Sequence, residues 1–134
     1  MKASPIETVK SLFQSFGAGD LPGVLRLLAE NVVWSGGKFD TDVPTHVERR
    51  GRAEVPKFFE GVAREQEFHR FEPSHFFCDG NEVIALVHED FTFRKSGKRV
   101  ALDVCHHFTV NADGLVARYR SYYDTSRYVA AFRG

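Results

Sequence analysis

The stretch EVIALVHEDFTFRKSGKRVALDVCHHFTVNADGLVARYRSYY, residues 82–123, decides the fold. Apolar and polar residues alternate along two long runs separated by Ser96-Gly97, and a third run follows Asn111-Ala112-Asp113-Gly114. Alternating runs punctuated by Gly-containing turns are the pattern of antiparallel hairpins. A two-residue turn at Ser96-Gly97 sets Lys95 opposite Lys98, Phe91 opposite Leu102, Glu89 opposite Val104 and Val87 opposite His106. One face then carries Val83, Ala85, Val87, Glu89, Phe91 and Phe93, and the partner strand supplies Val100, Leu102, Val104, His106, Phe108 and Val110. Glu89 and His106 alone interrupt this apolar face, as diagonal neighbours within side-chain reach. Pairing Val110 with Leu115 across the next turn adds Ala117, Tyr119, Ser121 and Tyr123, with Tyr119 opposite His106. His88, Asp90, Asp103, His107, Arg118 and Arg120 fall on the other face with Ile84 and Leu86. That second face suits solvent or another subunit. A slip of one residue would exchange the two sets, and their clean segregation argues against a slip.

Outward from this stretch, Phe68–Cys78 and the turn Asp79-Gly80-Asn81 add one more strand. The first half reads helical. Ser4, Pro5 and Glu7 form a capped helix start, and Val9, Leu12, Phe13 and Phe16 share one face. Gly17 and Gly19 end that helix, and Asp20 opens a short second helix carrying Val24, Leu25, Leu27 and Leu28. Residues 31–35 read as a strand. Residues 36–50 are polar and irregular, suggesting a lid. A third helix spans about 53–65 with Val55, Phe58, Phe59 and Val62 on its buried side, and a last short helix follows Asp124. Helices first and an antiparallel sheet after predict an α+β fold.

A chain of 134 residues fits one domain, residues 1–134, and is long enough for a core without disulfides or metal. Lys plus Arg and Asp plus Glu are 18 each, so charge gives no reason to expect nucleic acid or an anionic membrane as partner. Thirteen Phe favour aromatic packing or a pocket with bulky walls. Cys78 and Cys105, without a CxxC spacing, read as reduced thiols of a cytoplasmic protein. The N-terminus has no apolar run of a signal peptide, and no stretch approaches a membrane span.

GAGDLPGVLRLLAENVVW, RGRAEVPKFFEGV and HHFTVNADGLVARYRSYYDT, in this order and spacing, resemble the SnoaL-like (ketosteroid isomerase-like) branch of the nuclear transport factor two (NTF2-like) superfamily. The resemblance covers nearly the whole chain. It implies a cone-shaped barrel of a curved, mainly antiparallel sheet wrapped around N-terminal helices, with a deep pocket and often a homodimer formed through the outer sheet face. The family hosts isomerases, dehydratases, polyketide cyclases, epoxide hydrolases and binders without activity, so fold does not give function. Residue by residue the carry-over is mixed. Ketosteroid isomerase has its general-base aspartate at the place of Gly36, an oxyanion-hole tyrosine at that of Leu12 and a protonated aspartate at that of His106. Limonene epoxide hydrolase has a water-orienting aspartate where Ser121 stands. Neither mechanism is therefore implied. SnoaL-like cyclases use an acidic base near a histidine, a role open here to Glu89 or Asp124.

Each candidate has a bland counterpart. His106 is either a pocket acid or base or a core histidine satisfied by a neighbour. Glu89 is its partner or a carboxylate that reaches water. Tyr119 donates to a ligand or simply packs, and Asp124 is a catalytic acid or a helix N-cap. Trp34, Val104 and Phe108 line the pocket or belong to plain core, and Ser121 has no nucleophile motif around it. His106 and His107 point to opposite faces and cannot easily share an ion, and His46, His69, His75 and His88 lack ligand spacing. Arg49, Arg50 and Arg52 form a solvated loop or a rim that meets an anionic substrate group. No metal and no cofactor is expected, since no phosphate loop or dinucleotide fingerprint occurs. The leading expectation is a cofactor-independent isomerase, cyclase or dehydratase acting on a small apolar carbonyl compound through His106, Glu89 and Tyr119. The rivals are a binding module without turnover and an interaction domain whose hollow is filled by its own side chains.

Overall fold

The computed structural model describes residues 3–36 and 47–134. Ser4 caps helix α1 (Pro5–Gly17) by accepting from the Glu7 backbone N–H at 3.3 Å. Asp20 caps the short α2 (Leu21–Leu25) by accepting from the Gly23 N–H at 2.9 Å. A Cβ on Gly23 would stand 2.3 Å from the Asp20 carboxylate, so a larger residue there would displace this cap. Strand β1 (Leu28–Ser35), the two-residue β2 (Arg49–Arg50), a 3-10 turn (Arg52–Glu54) and α3 (Val55–Glu65) follow. Strands β3 (Gln66–Asp79), β4 (Glu82–Phe93), β5 (Arg99–Val110) and β6 (Val116–Tyr122) then run to α4 (Thr125–Arg133). The six strands form one sheet in the order β2-β1-β6-β5-β4-β3. All its pairings are antiparallel except β1 with β6, which are parallel. This is an α+β fold, with the sheet curved around the N-terminal helices.

Two boundaries differ from the expectation. Leu28 begins β1 rather than ending α2, because β1 pairs with β6 from Leu28↔Val116 onward. Arg49 and Arg50, read as irregular, pair with Trp34 and Val33. Residues 37–46 of the supposed lid, His46 among them, lie outside the described residues.

Register differs too, and in an instructive way. Phe91 faces Val100, Glu89 faces Leu102 and Ala85 faces His106, two positions away from the expected pairing. The turn is longer than two residues: the Phe93 N–H donates to the Lys98 carbonyl, and the Gly97 N–H to the Phe93 carbonyl. Gly97 sits at φ 72°, where a side chain would be strained. A two-position shift preserves parity, so every side chain keeps its assigned face. Between β5 and β6 the same shift places His106 opposite Ser121 and Phe108 opposite Tyr119. A bulge then changes phase, so that Val116 rather than Ala117 is fully buried.

Bulges also shape β3. The register jumps between Phe68 and Arg70 and again between Pro73 and His75. Each jump re-phases the strand, so Phe68, Phe71 and Phe76, whose spacing does not alternate, pair with Phe91, Glu89 and Ala85 of the concave face. Pro73 is tolerated because β3 is an edge strand.

The core comes in two clusters. One, centred on Val9, Val24, Val32, Val55, Val83 and Phe108, lies under α1, α2 and α3. The other joins Phe91, Phe93, Val100, Leu102 and Val104 to Tyr128 of α4. We expect Gly97→Ala to lower stability by about 1–2 kcal/mol, the cost of a left-handed residue with a side chain. Urea unfolding should show a lower midpoint at unchanged slope; an unchanged midpoint would refute this role for Gly97.

Candidate functional site

A cavity of about 90 Å³ lies between the two clusters. One ordered water needs only about 10–15 Å³ on this measure, so the hollow admits a small organic molecule and is not filled by the protein's own side chains. Its wall is mainly aromatic: Phe13 and Phe16 of α1, Phe58 and Phe59 of α3, Phe68 and Phe71 of β3, Trp34 of β1 and Tyr128 of α4. Leu102, Val104 and Phe108 line it from β5.

The polar part of this wall comes from three adjacent strands. His106 Nε2 lies 2.9 Å from Glu89 Oε2, and His106 Nδ1 lies 2.7 Å from the Tyr119 hydroxyl. All three residues are buried, Glu89 at 9%, His106 at 7% and Tyr119 at 4% exposure. In the observed register Glu89 and His106 are four positions apart along β5, about 13 Å of straight strand. They meet because the sheet is concave and only the small Val87–Val104 pair stands between them. Phe13 and Phe71 pack edge-on against the imidazole and Phe108 stacks beside it, so its orientation is held on several sides.

Three proton arrangements satisfy this chain of bonds, one of them a protonated Glu89 that donates to Nε2 while Nδ1–H donates to Tyr119. A neutral imidazole with its hydrogen on Nε2 donates to the Glu89 carboxylate and accepts from Tyr119. An imidazolium donates to both, which frees the Tyr119 hydrogen for another acceptor. Burial first, and then the Glu89 charge, push the Tyr119 pKa well above that of an ordinary phenol, against a smaller opposing effect of Ser121. Tyr119 is therefore a donor at neutral pH.

The remaining expected residues divide. Trp34 is in the cavity wall, 3% exposed, stacked on Tyr119 at 4.2 Å between ring centroids. Its Nε1 has no hydrogen-bond partner among the described residues, and an unpaired buried N–H costs about 1–3 kcal/mol. Ser121 also lines the cavity, but its hydroxyl donates to the Gly36 carbonyl at 3.0 Å and so ties β6 to the end of β1. Asp124 is not brought into the cavity. It is exposed and caps α4, accepting from the Ser126 hydroxyl at 2.7 Å and the Arg127 N–H at 3.3 Å; these bonds hold its carboxyl below the usual range. Gln66 was not singled out from sequence. It donates to the Tyr128 hydroxyl and closes the α4 end of the cavity, a contact that no sequence spacing announces.

On the outer face His88 pairs with Asp103 at 3.0 Å, and His107 with Glu82 at 2.7 Å. Among the described residues no group of three or more His, Cys, Asp or Glu is placed to hold a metal ion, and no helix is long and apolar enough to cross a membrane.

The family model of the SnoaL-like domain matches residues 9–119, and the chain belongs to that family. No curated protein matches it. Among solved structures it is similar to an NTF2-like protein of unknown function from Burkholderia pseudomallei, with 23% identity, a TM-score of 0.87, and 98% of this chain and 99% of that one covered. It is also similar to a candidate polyketide cyclase from Pseudomonas putida, with 21% identity, a TM-score of 0.72, and 96% and 98% coverage. An epoxide hydrolase of M. tuberculosis, of the LEH-like type, shows 20% identity, a TM-score of 0.72, and 97% and 90% coverage. At these identities the likeness is one of fold.

Tyr119 supplies a pH test. Its raised folded-state pKa means that the unfolded chain ionises first as pH rises. The resulting stabilisation is fully present below about pH 10 and is lost above it. Urea unfolding across that range should show wild type losing more stability with pH than Tyr119→Phe; equal losses would place the phenol in contact with water.

Proposed function

We propose that the protein is a cofactor-independent isomerase, cyclase or dehydratase acting by proton transfer on a small, largely apolar carbonyl compound. The observation that carries this is the unbroken hydrogen-bonded chain Glu89–His106–Tyr119 in the wall of an aromatic cavity. An imidazole held between a carboxylate and a phenol relays a proton from one to the other near neutral pH. In the forward direction the Glu89 carboxylate takes the proton from carbon next to the carbonyl. His106, in its imidazolium form, donates to the Tyr119 oxygen, and Tyr119 donates its own hydrogen to the oxygen where charge develops. Trp34, Val104 and Phe108 would hold the apolar body of the substrate, and Ser121 would fix the wall behind it. Asp124, committed to its helix cap, has no part. The candidate cyclase and the epoxide hydrolase among the structural neighbours share this fold and are in keeping with small-molecule chemistry in it.

One observation favours the rival reading, a binding module without turnover. Both ring nitrogens of His106 already have protein partners, so the imidazole reaches a ligand only through Tyr119 or Glu89. The two readings separate when a panel of hydrophobic carbonyl compounds is followed by thermal shift and by product analysis together. Turnover should appear, and His106→Ala and Glu89→Ala should each lower it by about 10²–10⁴-fold. Stabilisation without product would favour the binder, and full activity in both variants would remove the relay.

We further propose a homodimer through the outer sheet face. His75, Leu86, Cys105 and Tyr122 stand in one row across β3 to β6, with Leu86 37% and Tyr122 44% exposed. Light scattering at micromolar concentration should give twice the chain mass, and Leu86→Asp should halve it. A monomeric wild type would overturn this.

A further inference from the structure

We infer that Trp34 and Arg49 form an anion-binding subsite beside the cavity, so that the ligand is an aromatic or otherwise flat molecule bearing an acidic oxygen: a carboxylate, phenolate or enolate. The inference rests on the small-molecule reading above, not on its proton relay.

Two buried donors carry it. Trp34 Nε1 and Arg49 Nε are both shut off from solvent and, among the described residues, without a hydrogen-bond partner. They belong to residues directly opposite each other in the antiparallel pairing of β1 with β2. Opposed residues share a face of the sheet with Cβ atoms about 4.5–5.5 Å apart, so Arg49 lies on the same face as Trp34, one strand further toward the sheet edge and just outside the cavity lining. The neighbouring pair, Val33 with Arg50, faces outward, where Arg50 meets Glu48 at 3.0 Å. No such carboxylate pairs with Arg49 among the described residues. The indole is held in place by stacking on Tyr119 and by the Phe58 and Phe59 rings, so its N–H is fixed rather than free to seek an acceptor elsewhere. Two donors on opposed residues, one of them cationic and the other fixed by its ring contacts, thus have no acceptor among the described residues. An oxygen anion satisfies both: it takes a charge-assisted bond from the guanidinium and a neutral one from the indole. A neutral carbonyl would leave the arginine charge unmatched. The aromatic wall takes the rest of such a ligand by stacking.

Trp34 is the single tryptophan of the chain, so its fluorescence reports this corner directly. Naphthalene-2-carboxylate, naphthalene-2-carboxamide and naphthalene serve as probes, with calorimetry for variants that lack the indole. The carboxylate should bind at least about tenfold more tightly than the amide, the order of one charge-assisted bond. Arg49→Met should abolish that preference while leaving the amide unaffected, and Arg49→Lys should restore only part of it. Trp34→Phe should weaken the carboxylate and the amide by similar factors, and both more than naphthalene, which loses only apolar contact. His106→Ala should keep the carboxylate preference, which separates the subsite from the relay. Equal binding of carboxylate and amide, no binding of the carboxylate at millimolar concentration, or a preference that survives in Arg49→Met would each overturn the inference.

Discussion

The parity of one strand pairing governs everything this molecule can do. Along β4 and β5 every second side chain points into the concavity, and the pairing of Glu89 with Leu102 and Ala85 with His106 keeps both polar side chains among them. An odd shift would carry the carboxylate and the imidazole to solvent and put His88 and His107 inside. The hydrogen bonds of His88 with Asp103 and of His107 with Glu82 suit the outer set where it is. The two faces therefore agree in their placement, one by burial and the other by polar pairing at the surface.

The parity was legible in the sequence, whereas the exact register was not. Alternation reveals a face, but it is blind to even shifts, and the turn between β4 and β5 uses more residues than Ser96-Gly97 alone. The same blindness hid the phases of β3. Phe68, Phe71 and Phe76 reach the concave side only through two bulges, and a bulge leaves no period to read. The helices were readable because caps and apolar spacing agree locally: Ser4 and Asp20 cap as their residue types suggest. Leu28 was misplaced because its partner, Val116, is remote in sequence.

The candidate site shows the same division. His106, Glu89 and Tyr119 stood out as polar residues on an apolar face, and their junction follows from the curvature of the sheet. What the alternation could not tell is which atoms meet. The imidazole spends both nitrogens on protein partners, which makes it an intermediary rather than a terminus. Asp124 looked equally acidic in the sequence, but a helix begins immediately after it and takes up its carboxylate. The unsatisfied donors of Trp34 and Arg49 have no sequence signature, since they arise from pairing between segments flanking the 37–46 stretch.

The division of the core has a consequence for the shape of the cavity. The helix α4 is anchored by Tyr128 and Phe132 to a cluster of its own, separate from the one that binds α1, α2 and α3. Tyr128 also forms part of the cavity wall and takes a hydrogen bond from Gln66 there, so the same side chain seats the last helix and shapes one end of the hollow.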